Sequence, residues 1–207
     1  MFITFEGPDG SGKTTQLNKL IPVLEAEGLD VVRTREPGGT DIGDQIRSVI
    51  MNMKNKSMHP RAEILLFCAS RAQLVEELIR PSLAAGKIIL CDRYADSTMA
   101  YQGYGHGLDR TVLTQLLDFA TGGLKPDLTL LFDISAESGL RRRIRNHEEW
   151  NRMDDYALQF HDDQHERHGL GTERDACMQH VVISCSIDEL LKHAKDRRHA
   201  IVDRYHD

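Results

Sequence analysis

The chain has only four cysteines, Cys68, Cys91, Cys177 and Cys185, and no two of them stand in a CxxC spacing. That scatter argues against a zinc knuckle and fits reduced thiols, so a cytoplasmic location is expected. No apolar run approaches the ~20 residues that a membrane-spanning helix needs. Runs such as Ile88 to Cys91 and Leu128 to Phe132 are strand-sized, so no membrane partner is expected. The opening residues Met1-Phe2-Ile3-Thr4-Phe5-Glu6 lack a basic start and a small-residue cleavage site. They are expected to be a first strand and not a signal peptide. Basic charge is in deficit as well: 26 Lys and Arg stand against 32 Asp and Glu, a net charge of -6. A broad phosphate-contacting surface would be basic, so nucleic acid is not an expected partner, whereas a small phosphorylated ligand needs only a few well-placed cations. Internal repeats, low-complexity tracts and linkers are also missing. The 207 residues are therefore expected to form a single domain over 1–207, large enough to bury a core without disulfides or structural metal.

What is present alternates between strand and helix patterns. Phe2 to Glu6 is β-prone, and from Lys13 the apolar residues Leu17, Leu20, Ile21 and Leu24 recur at i, i+3, i+4 and i+7 up to a stop at Gly28. Pro22 lies inside that helix and is expected to kink it. Further strands are expected at Leu29–Thr34, Lys87–Cys91, Leu128–Asp133 and Val181–Ser184. Helices are expected over Asp41–Met53, Arg61 to about Leu83 (with Ala62, Leu65, Leu66, Ala69 and Ala72 as its apolar stripe), Ser97–Gln102, Asp109–Ala120 and Ala136 to about Arg145. A polar helix over 154–168 and a last one over Ile187–Ala194 complete the set. Nearly uniform apolar strands alternating with helices indicate an α/β fold, a five-stranded parallel sheet flanked by helices on both faces. In such a doubly wound sheet, ligands bind outside the carboxyl ends of the strands.

Gly7-Pro8-Asp9-Gly10-Ser11-Gly12-Lys13-Thr14 satisfies G-x-x-x-x-G-K-[ST] at every fixed position, after a strand and before a helix. Glycines let backbone N–H groups curl around phosphate oxygens, and the following helix points its positive end at them. Lys13 adds a movable charge for the outer phosphates, and Thr14 offers a hydroxyl to Mg²⁺. A nucleoside triphosphate site is expected. No Asn-Lys-x-Asp guanine-reading segment is present, which argues against a regulatory GTPase, and the chain is short for a motor or transporter ATPase. A compact kinase of a small acceptor remains.

Longer stretches carry a resemblance. Phe5 through Thr15, Thr34-Arg35-Glu36-Pro37-Gly38-Gly39-Thr40, Leu65-Leu66-Phe67-Cys68-Ala69-Ser70-Arg71, Asp92-Arg93-Tyr94 with Ser97 and Tyr101-Gln102, and Pro126-Asp127-Leu128 resemble, in order and spacing, the thymidylate kinase family of bacterial type. The likeness covers residues 1 to about 145. It implies a P-loop nucleoside monophosphate kinase fold, ATP-dependent phosphorylation of dTMP to dTDP with Mg²⁺, and a homodimer.

The resemblance also implies roles. Phe67 and Arg71, four apart on one helix, project from the same face, where an aromatic plane and a donor-only guanidinium suit a thymine ring and its O4. Taken alone, Phe67 reads as a core side chain and Arg71 as a surface ion pair. Asp92 resembles the acid that holds Mg²⁺, with Asp133 as its rival at another strand end, and Arg93 resembles the clamp on the acceptor phosphate. Asp9 and Glu36 resemble acids that contact the deoxyribose 3′-hydroxyl or order the metal; both are alternatively loop caps. Tyr101 resembles the residue under the sugar, and Ser97, Thr98 and Gln102 lie near the base. The nucleophile is a phosphate oxygen already ionised near neutral pH, so no general base is needed.

A lid is expected at about 141–153. Arg141-Arg142-Arg143-Ile144-Arg145 is read as a phosphate clamp beside Gly139-Leu140, with a solvated basic face as the bland alternative. Gly10 stands where some family members carry an arginine, so the catalytic arginine is expected from the lid: Arg142, Arg145 or Arg152. Two departures follow. Asn151-Arg152-Met153-Asp154 replaces the family's Asp-Arg-x-Glu, and its spacing from Gly139-Leu140 is one residue longer than usual; beyond Asp155 the match thins. These motivate two other readings, a nucleotide-binding regulatory module with little turnover or a kinase of a related nucleotide such as dUMP. His161 and His165 have metal-ligand spacing, but no third ligand is fixed near them or His168, and a hydrated helix face is expected there.

Overall fold

The computed structural model describes residues 1–105, 107–145, 152–155 and 180–182. Five parallel strands, β1 (Phe2–Glu6), β2 (Val31–Arg35), β3 (Ile88–Asp92), β4 (Leu128–Leu131) and β5 (His180–Val182), lie in the order β2-β3-β1-β4-β5. Strand β1 is the centre, hydrogen-bonded on both sides and buried along all five residues. That is why apolar side chains stand on both of its faces, Phe2 on one and Ile3 and Phe5 on the other.

The two faces are covered separately. Ile3 and Phe5 point to one side and pack with Leu90, Leu128 and Leu130 against α1 (Lys13–Ala26) through Leu17, Leu20 and Leu24. Phe2 points to the other, where Leu74, Val75, Ile79, Ile89, Cys91 and Tyr94 gather. Helix α1 is assigned unbroken through Pro22, which sits on its exposed side. The remaining helices are α2 (Asp41–Met51), α3 (Pro60–Leu74), α4 (Arg80–Ala84), α5 (Ala95–Thr98), α6 (Arg110–Thr121) and α7 (Ala136–Arg145). No helix among the described residues is long and apolar enough to cross a membrane.

Several expectations need correction. The long helix after Pro60 is continuous, but a π-helical turn at Val75–Ile79 separates α3 from α4. Its buried face is not the alanine–leucine stripe: Ala62 and Ala69 are exposed, and Leu65 is 56% exposed. Glu63, Ile64, Cys68, Ser70, Arg71 and Leu74 face inward instead. Polar side chains hold the interior positions here because they build the site, a preference that a hydrophobicity pattern does not contain. Helix α2 stops at Met51, where Asn52 caps a separate 3₁₀ turn at Met53–Asn55 through Lys54 N–H. The helix expected at Ser97–Gln102 is α5 followed by a π-helical turn at Met99–Gly105. That wide turn places Tyr101 and Gln102 on the cavity that Ser97 and Thr98 also line. Strand β4 ends at Leu131, two residues short of Asp133. The helices expected over 154–168 and Ile187–Ala194, with His161, His165 and His168, lie outside the described residues, apart from a 3₁₀ turn at Arg152–Asp155.

Leu17 has no exposure and joins α1 to the sheet. Leu17→Ala should lower unfolding stability by about 3 kcal/mol in urea titration, with the fold retained; a loss within error of zero would show that this face contributes little.

Candidate active site

The register of β1 on β3 decides where the chemistry-bearing loops meet. Phe5 pairs with Asp92, so the loop after β1 and the loop after β3 emerge side by side at the carboxyl edge. The β2 loop joins them, because Arg35 also pairs with Asp92. Together with α3, the π-turn and α7 they enclose one cavity of about 730 Å³.

The first loop wraps tightly. Gly7 has φ +134°, and a Cβ there would sit 2.6 Å from the Phe132 carbonyl oxygen. Gly12, at φ +98°, is the N-cap of α1 and brings no capping side chain, so the first N–H groups of that helix stay open to an anion. Ser11 Oγ is buried without a hydrogen-bond partner. The Lys13 ammonium donates to the carbonyls of Gly7 (2.9 Å) and Pro8 (2.8 Å). Burial, then the nearby Arg93 cation, pushes its pKa down to about 8. Gly139 of α7 packs against the backbone of Asp9 and Gly10, so a Cβ on either glycine would collide with the other segment.

At the mouth, Thr14 Oγ1 donates to Asp92 Oδ2 at 2.5 Å. Among the described residues no group of three or more His, Cys, Asp or Glu side chains could hold a metal. A hydroxyl and a carboxylate in contact are the hard oxygen donors that Mg²⁺ takes beside phosphate oxygens and water, so Thr14 and Asp92 fit such an ion. Asp133 is exposed and does not line the cavity, so the rival acid is excluded on position.

Arg93 follows Asp92 at φ +72°, a left-handed conformation that a non-glycine residue holds only when its surroundings fix it. Its guanidinium donates to Asp9 Oδ1 (2.6 Å) and Ser97 Oγ (3.0 Å) and lies over the Tyr101 ring. Burial alone would raise the Asp9 carboxyl, but Arg93, Lys13 and Arg143 outweigh it and hold Asp9 below the usual carboxylate range. Behind this pair Glu6, buried at the end of β1, accepts Tyr94 N–H (2.7 Å) and the Ser97 hydroxyl (2.5 Å). Burial and the neighbouring Asp96 push Glu6 up to about 7 against those bonds.

The second part of the cavity is a slot beside α3. Arg71, 1% exposed, gives Nε–H to Glu36 Oε2 (2.7 Å) and uses Nη2 for Glu36, the Tyr94 carbonyl (3.0 Å) and Thr98 Oγ1 (2.9 Å). Its Nη1 has no partner, and neither has Glu36 Oε1. Burial would lower the Arg71 pKa, and Glu36 more than offsets it, so the side chain stays cationic. Phe67, one turn earlier and partly buried, lines the same cavity with Thr98, Tyr101 and Gln102. The surface ion pair and the loop cap, as alternatives for Arg71 and Glu36, do not describe this buried pair.

Of the three lid arginines expected at the phosphates, Arg142 and Arg145 line the cavity. Arg152 is not brought there. Its guanidinium is buried against the Ile50 carbonyl (2.6 Å) and Glu63 Oε2 (2.5 Å), because Glu63 supplies the carboxylate that a buried cation requires. Arg143, which sequence reasoning did not single out, turns its Nη1 to within 3.9 Å of Asp9 Oδ2. Arg33, Arg35 and Arg47 also line the cavity and were missed. No run of charge marks them: Arg33 and Arg35 alternate along β2, and Arg47 stands alone on α2 behind Asp41 and Asp44.

A phosphate loop and a second slot facing each other across the carboxyl edge of this sheet are the plan of the P-loop nucleoside monophosphate kinases, a class of phosphotransferases. Comparison narrows the class. The family model described as thymidylate kinase matches residues 5–190. A thymidylate kinase of Roseiflexus sp. (strain RS-1) is 52% identical over 172 residues, 78% of this chain and 76% of that protein. One from Exiguobacterium sp. (strain ATCC BAA-1283 / AT1b) is 49% identical over 162 residues, with the same two shares. The crystal structure of thymidylate kinase from Ehrlichia chaffeensis aligns with TM-score 0.60 at 42% identity, over 72% of this chain and 83% of that one. The chain belongs to the thymidylate kinase family.

The Lys13 environment generates a direct prediction. In the free protein its side-chain NMR signal should titrate with a midpoint of about 8. Inorganic tripolyphosphate, which favours the charged form, should move that midpoint upward; an ordinary lysine midpoint, unmoved by the anion, would contradict the phosphate cup.

Proposed function

We propose that the chain transfers the γ-phosphoryl group of ATP to dTMP, giving dTDP and ADP. The observation that carries this reading is the unpartnered Arg71 Nη1, buried beside Phe67 in the same cavity as Lys13. A donor-only group beside an aromatic plane suits thymine, whose O4 accepts, and opposes cytosine, whose exocyclic amino group donates. The first sub-site takes the triphosphate: the backbone N–H groups of residues 9–14 surround it and Lys13 exchanges its two carbonyl partners for phosphate oxygens. Thr14 and Asp92 would hold Mg²⁺, which would supply neutralisation of charge on the transferred group.

Arg93 clamps the acceptor phosphate by giving up Asp9, which is then free to receive the sugar hydroxyl, while Tyr101 underlies the sugar. Arg47, on the cavity wall, adds a second cation. An acceptor phosphate oxygen bonds to the γ-phosphorus as the bond to the β–γ bridging oxygen breaks, and ADP leaves with that electron pair. The oxygen is already ionised near neutral pH, since the second pKa of a phosphate monoester is about 6, so alignment and charge neutralisation are what the protein supplies. Arg142, Arg145 and Arg143 meet the transferring group from α7. We read residues 1–207 as one domain with its lid at about 141–153, acting in the cytoplasm, where Cys68 and Cys91 stay as free thiols.

The reading extends to a homodimer. Leu65 on α3 and Val112 and Phe119 on α6 are exposed, Phe119 to 88%, and a second copy would cover them. Phe119→Asp should then convert a dimer to a monomer in sedimentation; a wild-type chain that sediments as a monomer would remove the dimer from the account. The reaction itself is tested by ADP release across dTMP, dUMP, dCMP, dGMP and dAMP. dTMP should be fastest and dUMP slower but measurable, since one methyl is worth ~1–3 kcal/mol. No ADP with dTMP, alongside turnover of another monophosphate, would refute the proposal.

A further inference from the structure

A carboxamide offers a donor from its nitrogen and an acceptor from its oxygen, so a glutamine beside a base reads opposite partners depending on which way it is turned. Gln102 is 1% exposed and lines the cavity with Phe67, Arg71 and Thr98. Its Nε2–H is given to Glu63 Oε1 at 2.7 Å. Glu63 lies on α3, is 1% exposed and does not line the cavity. Its other oxygen accepts from Arg152 Nη2 at 2.5 Å, and Arg152 Nε is anchored on the Ile50 carbonyl.

We propose that Glu63 is a positioning residue that locks Gln102 with its nitrogen away from the base and its oxygen available to it, and so selects pyrimidines that carry an N3–H. The physical ground is that a carboxylate has acceptors only. Paired with Arg152, Glu63 cannot donate to Gln102, so a flipped amide would bring two acceptors face to face in a buried space. One orientation is left. Arg71 Nη1 then addresses position 4 of the ring as donor and Gln102 Oε1 addresses position 3 as acceptor. Thymine and uracil match both; cytosine, with a donor at 4 and an acceptor at 3, mismatches both. Arg152, expected from sequence at the phosphates, belongs to base selection instead. This inference rests on the proposed dTMP kinase reading.

The test compares steady-state kinetics of the wild-type chain, Glu63→Gln, and Glu63→Gln/Arg152→Gln. A glutamine at 63 can donate, so the Gln102 amide is free to turn. The double variant keeps the experiment decisive if the single one does not fold, because it leaves no buried charge without its partner. In the folded variants the KM for dTMP and dUMP should rise together by roughly tenfold, with the KM for ATP unchanged. The preference for dTMP over dCMP in kcat/KM should fall by about tenfold or more. Equal losses with dTMP, dUMP and dCMP, or a parallel rise in the KM for ATP, would make Glu63 a brace for the 152–155 segment and overturn the proposal. A wild-type chain without dTMP turnover would instead bring down the functional reading together with this one, whereas an active, selective wild type with equally selective variants overturns the positioning role alone.

Discussion

A guanidinium buried to 1% exposure is tolerated in a protein interior only when its charge is paired and most of its donors are met, and the slot beside α3 is organised around that requirement at Arg71. Glu36 comes from the loop after β2, the Tyr94 carbonyl from the loop after β3, and Thr98 from α5; all three converge on the one side chain. The same three segments bound the cavity. Meeting the needs of the cation therefore also fixes the walls of the site. The single nitrogen left over is aligned in advance, and a ligand that accepts from it spends little on ordering the protein.

The phosphate end obeys a related constraint by different means. Here the cations Lys13, Arg93 and Arg143 outnumber the anion Asp9 that they surround, and the buried carboxyl of Glu6 stands behind them. Lys13 holds two backbone carbonyls and Arg93 holds Asp9, contacts that an incoming phosphate can replace. The two ends are linked through the β1–β3 register, which sets Phe5 opposite Asp92 and so joins residues more than eighty positions apart. A shift of one residue in that pairing would turn Asp92 and Arg93 to opposite sides.

Much of this is legible in the amino-acid sequence. The parallel sheet followed from mostly apolar strands alternating with helices, and the phosphate loop from its glycines and its strand–helix flanks. The family match placed Phe67, Arg71, Arg93 and Gln102 near one another. What stayed hidden was the burial of polar groups. On α3, apolarity pointed to Ala62, Leu65 and Ala69, whereas the interior is held by Glu63, Ser70 and Arg71, whose partners come from elsewhere in the chain. Arg152 was misplaced for the same reason: a run of arginines shows charge but not which carboxylate receives each one. Arg143 was overlooked because helical phase decides which member of a basic stretch turns inward, and Arg47 because it stands alone among acidic and apolar neighbours on α2 with no charge run to mark it.

The account stands on Arg71 remaining in its socket while it reads the ligand. A crystal structure of the chain with dTMP measures this directly. The ring should stack on Phe67, with O4 about 3 Å from Arg71 Nη1 and the Arg71–Glu36 pair intact. A base bound elsewhere in the cavity, or an Arg71 that abandons Glu36 to reach it, would contradict the account.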